Sequence, residues 1–145
     1  MSTLKKGKSS ELLVAGELLA RGHNVFYPFV DIGIDLVAKV EERFVQLQVK
    51  HSNAGVRRGR FWFTVKKKAF EQNKGRDVFY IFVLKRGIST NYIIVPSLWI
   101  EQNIKVREKP EWHFYFELSK DSKTAKEVRS INLDVSAFLN SWRLK

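Results

Sequence analysis

The stretch GIDLVAKVEERFVQLQVK, from Gly33 to Lys50, constrains the fold more than any other part of the chain. Apolar and polar residues alternate on both sides of Glu41 and Glu42, the pattern of two half-buried strands joined by a tight reversal. If residue 40 pairs with 43, then 38 faces 45 and 35 faces 48, so Asp35 and Gln48 become cross-strand neighbours. Along the second strand Val45, Leu47 and Val49 point to one side, while Gln48 and Lys50 point to the other. An aspartate, an amide and an amine therefore converge at one edge of a hairpin whose opposite face builds a core.

The residues before the hairpin form a helix. Residues 1–8 read as a basic, flexible arm, and Ser9 or Ser10 as the N-cap of a helix through ELLVAGELLA that stops at Gly22. At 100° per residue Glu11 falls between Ala15 and Leu18 on the apolar side, whereas Glu17 and Arg21 pair on the polar side. A first-turn position suits the charge of Glu11 but does not explain the direction it faces. NVFYPFV then reads as a short strand ended by Pro28.

Beyond the hairpin, strands and helices alternate. The loop HSNAGVRRGR leads to a strand RFWFTV, a short helix around KKAFEQN, and DVFYIFVLKR, an apolar run typical of a central strand. STNYIIVPSLWIEQN reads as a strand broken at Pro96 into a short helix, WHFYFEL as an edge or closing strand, and VSAFLNSW as a final helix. SKDSKTAKE between the last two is polar and is expected to be mobile. With no repeat or low-complexity tract in 145 residues, a single domain is expected.

The chain has no cysteine and three histidines without metal-ligand spacing, which excludes a disulfide framework and thiolate metal sites. Any chemistry must come from carboxylates, amides and cations. The net charge of +11 favours a polyanionic partner, and the cations are scattered through strands and loops rather than set along one amphipathic helix. DNA is the expected partner, not a membrane. No apolar run is long enough to span a bilayer and no secretory leader is visible at the N-terminus, so a cytoplasmic location is expected.

In order, KGKSSE on the first helix, then GIDLVA, then LQVK, resemble the PD-(D/E)XK nuclease superfamily, in particular small archaeal Holliday junction resolvases and intron-associated homing endonucleases. The resemblance covers about residues 5–98 and implies an α/β, restriction-endonuclease-like core, a mixed β-sheet flanked by helices, with residues 99–145 as a C-terminal elaboration. It also implies a catalytic set of Glu11, Asp35, Gln48 and Lys50. Gln48 stands where most members carry an acid, a QxK variant that some homing endonucleases share.

The chemistry implied is phosphodiester hydrolysis assisted by Mg²⁺, with Mn²⁺ able to substitute. Mg²⁺ takes oxygen ligands and keeps several waters, so one or two carboxylates suffice. Asp35 is the expected principal ligand, with Glu11 and the side-chain oxygen of Gln48 beside it, and the Val49 carbonyl as the contributor the resemblance adds. Lys50 would orient or help deprotonate the attacking water. The alternative is structural: Asp35 caps a turn and Lys50 merely extends to solvent. DNA contacts are expected from Arg57, Arg58 and Arg60 in the glycine-bearing loop, and from Lys66, Lys67 and Lys68, which could equally be a solvated helix start. Phe61 and Phe63 should pack on one face of their strand, opposite Trp62. A homodimer is expected, because cutting two strands with one site per subunit calls for symmetry. The substrate is branched or duplex DNA, a site-specific homing or restriction-type enzyme is the alternative, and a noncatalytic basic DNA-binding protein is the reading from another class.

Overall fold

A computed structural model describes residues 2–30, 33–53 and 59–145. Its elements run α1 (Thr3–Ala20), β1 (Asn24–Phe26), β2 (Leu36–Val40), β3 (Arg43–His51), β4 (Arg60–Lys66), α2 (Lys67–Asn73), β5 (Val78–Arg86), β6 (Ser89–Pro96), α3 (Ser97–Asn103), β7 (Glu111–Leu118), β8 (Ala125–Glu127) and β9 (Leu133–Asp134). They build a five-stranded sheet of order β1-β2-β3-β5-β6 and a four-stranded sheet of order β4-β7-β8-β9. The first sheet is mixed: β3 and β5 are parallel and its other pairs antiparallel.

The hairpin has the register that its alternation dictates, with Val40 opposite Arg43 and Ala38 opposite Val45. Its buried face carries Leu36, Ala38, Val45, Leu47 and Val49, which pack with Val14, Ala15 and Leu18 of α1. The opposite face of β5 and β6 is covered by the second sheet, through Tyr80, Phe82 and Ile93 against Phe61, Phe63, Phe114 and Phe116. Phe63 meets Phe82 edge to face at 5.0 Å, and each such pair adds about 1 kcal/mol to the burial of its rings. Phe61 and Phe63 share a face, as the alternation of RFWFTV requires.

Four sequence expectations are corrected. Helix α1 begins at Thr3, capped by Ser2, whose hydroxyl accepts from the Lys5 N–H at 3.3 Å; Lys5, Lys6 and Lys8 are helical, not part of an arm, and Ser10 is buried inside the helix. Docking against the hairpin overrides the unfavourable cations at its N-terminus, and Gly7 lies so close to β3 that an added Cβ would sit 3.7 Å from Nδ1 of His51. WHFYFEL lies inside β7, which runs between β4 and β8 and is not an edge.

SKDSKTAKE is not mobile: Ser119 and Asp121 bond the backbone of Lys123, and the segment continues into β8. VSAFLNSW forms only a 3-10 turn at Ser136–Phe138, because the chain then bends at Asn140, whose φ is 53° and whose side chain accepts from the Tyr92 N–H at 2.9 Å. Trp142 and Leu144 beyond it are buried on the α1 side of the first sheet. Among the described residues no helix is long and apolar enough to cross a membrane.

Candidate active site

Asp35 lies at the entrance to β2, and its backbone N–H donates to the Leu47 carbonyl at 3.0 Å, which extends the hairpin register by one step. Its carboxylate is held by the opposite strand: Oδ2 accepts from the Gln48 side-chain amide at 3.1 Å and from the Val49 backbone N–H at 2.8 Å. The cross-strand pairing of Asp35 with Gln48 expected from spacing is thus observed as direct bonds. Lys50 follows two residues later on the same face. On the other side of β3, the parallel register sets Gln48 beside Tyr80 and Lys50 beside Phe82.

Glu11 comes from α1, well inside the helix rather than in its first turn. Its side chain is 16% exposed, pairs with Lys8 at 3.5 Å, and lines with Asp35 a cavity of about 480 Å³ that also touches Gly7, Tyr27 and Ile34. The packing of α1 on the hairpin therefore brings the two carboxylates to one cavity. Gly33, two residues before Asp35, has φ +85°, and an added Cβ would lie 2.7 Å from the Asn73 amide, so both the conformation and the space favour glycine there.

Burial lowers the proton affinity of Lys50; the charge of Asp35 opposes the shift and that of Lys66 adds to it. His51 is likewise lowered, first by burial and then by Lys6, Lys50 and Lys85. Burial pushes the Tyr80 phenol well above its ordinary range, with the charge of Asp35 adding to the effect. Carboxylates and an amide thus sit at the centre, ringed by cations from α1, β3, β5 and the end of β4. Such a ring suits a phosphate brought against a hard cation.

The oxygen donors present, two carboxylates with neutral carboxamide and carbonyl oxygens, fit a hard divalent ion and not a soft one. Among the described residues no three His, Cys, Asp or Glu side chains gather as a metal cluster, as expected where Gln48 replaces an acid.

The sequence-predicted DNA contacts divide. Arg57 and Arg58 lie outside the described residues. Arg60 opens β4 on the second sheet and is ion-paired with Glu117 at 2.7 Å. Lys66 ends β4 close enough to disfavour the charge of Lys50, and Lys67 and Lys68 form the first turn of α2. Trp62 stands on the outer face of the second sheet, parallel to Tyr115 with ring centroids 5.9 Å apart. Sequence reasoning missed Tyr80, whose place in an apolar run hides its position beside Gln48; only the β3–β5 register reveals it.

No curated protein matches the chain. In three dimensions it is similar to a bacterial homing endonuclease, with a TM-score of 0.69 and 19% identity over 99% of this chain and 90% of that one. It is also similar to the Holliday junction resolvase of the archaeal hyperthermophile Archaeoglobus fulgidus, with a TM-score of 0.51 and 18% identity over 74% of this chain and 82% of that one. At these identities the likeness speaks for the fold, a restriction-endonuclease-like mixed sheet flanked by helices. A family model for PD-(D/E)XK endonucleases matches residues 1–113, a span that includes Glu11, the whole hairpin and Lys50. The chain belongs to the PD-(D/E)XK endonuclease family.

Proposed function

We propose that this chain is a metal-dependent DNA endonuclease that hydrolyses phosphodiester bonds in branched or duplex DNA, using Asp35, Glu11, Gln48 and Lys50. The observation that carries it is the Asp35 carboxylate fixed by Gln48 and Val49, with Lys50 on the same face. Asp35 and Glu11 would hold Mg²⁺ or Mn²⁺, with the Gln48 side-chain oxygen and the Val49 carbonyl as neutral donors. When bound, the ion supplies positive charge at the phosphate and a more acidic water.

The chain's own groups do the rest. Oδ2 of Asp35 is fixed by two donors, so the carboxylate is oriented before substrate arrives. Lys50 aims its amine at the attacking water or at a phosphate oxygen. The burial that weakens its hold on a proton brings proton transfer closer to neutral pH. Lys6, Lys66 and Lys85 draw the backbone in; Lys67, Lys68 and the arginines of the loop before β4, Arg57, Arg58 and Arg60, are the outer contacts. Two copies acting as a homodimer place one site on each strand.

The test is cleavage of a four-way junction, a linear duplex and a supercoiled plasmid, with Mg²⁺, with Mn²⁺ and with chelator. Metal-dependent cutting that Asp35→Ala abolishes while DNA binding survives is the expected result. Unchanged cleavage by Asp35→Ala rules the site out, and metal-independent binding without cutting supports the DNA-binding-module alternative. A second reading, a site-specific homing or restriction-type enzyme, is favoured by the likeness to a homing endonuclease over 99% of this chain. One preferred cut site in a long duplex distinguishes it from a junction resolvase.

A further inference from the structure

Tyr80 sits in VFYIFVL, the apolar stretch of β5, and is a core residue by every sequence criterion. It is 2% exposed, and its ring packs on Phe70 with centroids 5.6 Å apart. Phenylalanine would fill the same space. Among the described residues none meets the Tyr80 hydroxyl in a hydrogen bond, although a buried phenol ordinarily finds a partner.

The sheet register shows what lies next to it. Asp35 bonds Gln48 across the hairpin, and Gln48 is the parallel partner of Tyr80 on β5. Three polar side chains thus form one row across neighbouring strands, on the face that also carries Lys50. The carboxamide in the middle has two unlike ends. Its N–H end faces Asp35 at 3.1 Å, so its carbonyl end requires a donor from elsewhere. The next polar group along the row is the Tyr80 hydroxyl, a phenol that keeps its proton at neutral pH.

We propose that Tyr80 is a positioning residue whose hydroxyl donates to the side-chain carbonyl of Gln48, directly or through one water, and so fixes which end of the carboxamide faces Asp35. The catalytic consequence rests on the nuclease reading above. A glutamate at position 48 would have no distinct ends and would need no such guide. A glutamine turned end for end would set its oxygen against the Asp35 carboxylate and repel the group it should hold. A buried donor beside the amide prevents that inversion.

Tyr80→Phe removes one oxygen and keeps the ring, so thermal unfolding should stay close to wild type. Cleavage should fall about tenfold or more in kcat with KM for DNA unchanged, as for other groups that orient a ligand from behind. In the Gln48→Ala background the same change should have no further effect, since the two residues act as one unit. A readout independent of cutting is the side-chain amide of Gln48 in ¹⁵N-labelled protein: its two proton resonances should shift, and exchange with water faster, in Tyr80→Phe.

Unmoved Gln48 resonances overturn the proposal whatever the cleavage rate. A rate loss of full size in the Gln48→Ala background also overturns it, because the hydroxyl then acts on another group. If the wild-type protein cuts nothing, the nuclease reading fails and the resonances still decide the role of Tyr80.

Discussion

Two carboxylates on different sheets use the same bonds to opposite ends. Glu127 on β8 is 1% exposed and accepts four backbone N–H groups, those of Tyr115, Arg129, Ile131 and Asn132, at 2.6 to 3.1 Å. It fills the ladder positions that a short strand and its turn leave empty. Asp35 likewise accepts a backbone N–H, that of Val49, but its Oδ2 shares that bond with a side-chain amide, and its surroundings include a second carboxylate, a cavity and a half-buried lysine. A carboxylate sealed by main chain serves the fold; one fixed from behind beside a cavity is left for chemistry.

Substituting each in turn should separate those roles. Asp35→Asn keeps the shape and loses the charge that a divalent ion needs, so cleavage should fall by about a thousandfold while the melting temperature barely moves. Glu127→Ala strands four buried donors and should lower stability by about 3 kcal/mol, read from urea unfolding, with cleavage per folded molecule unchanged. The reverse pairing, a stable Glu127 variant or an unfolded Asp35 variant, would erase the distinction.

The contrast also explains what the sequence could disclose. Hairpin register, the pairing of Asp35 with Gln48, and the limits of α2 and α3 depend on local alternation and short-range punctuation, and they are legible in GIDLVAKVEERFVQLQVK, KKAFEQN and PSLWIEQN. The second sheet depends on distant partners. Nothing local announces that Glu127 will collect the N–H groups of residues on both sides of it, or that Asn140 will bond Tyr92 across the molecule. Those bonds turn a polar segment into a strand and an apparent last helix into a bend. The start of α1 was hidden for a similar reason, since its lysines argue against a helix end until Gly7 docks against His51. In the site, Tyr80 was invisible because its neighbour Gln48 lies 32 residues away on another strand.

Lys50 sharpens the comparison from the side of stability. Burial lowers its proton affinity, so between its folded pKa and the ordinary value of 10.5 the unfolded chain binds more protons than the folded one. Stability therefore rises as pH climbs through that interval. Below it the buried ammonium exerts its full destabilising effect. Lys50→Met should end cleavage, raise stability at neutral pH by about 1 kcal/mol, and flatten this alkaline rise. A variant that is less stable than wild type would show that Lys50 belongs to the structural kind of charge that Glu127 represents.

The smallest expected effect concerns where DNA runs. Lys66 reaches toward the site, where its charge acts on Lys50, whereas Arg60 is ion-paired to Glu117 on the second sheet. A cation that releases counterions from a phosphate contributes about 0.9 to the slope of log affinity against log salt. Lys66→Ala should lower the slope by about that amount, measured by fluorescence anisotropy with a labelled duplex in the presence of Ca²⁺. Arg60→Ala should change it by less than half as much, because in the folded protein the guanidinium already has a carboxylate partner, and Lys126 at 3.4 Å remains to balance Glu117. Equal slopes would carry the DNA path across the second sheet as well, making that sheet part of the binding surface and not only the packing that holds β5 and its row of polar groups in place.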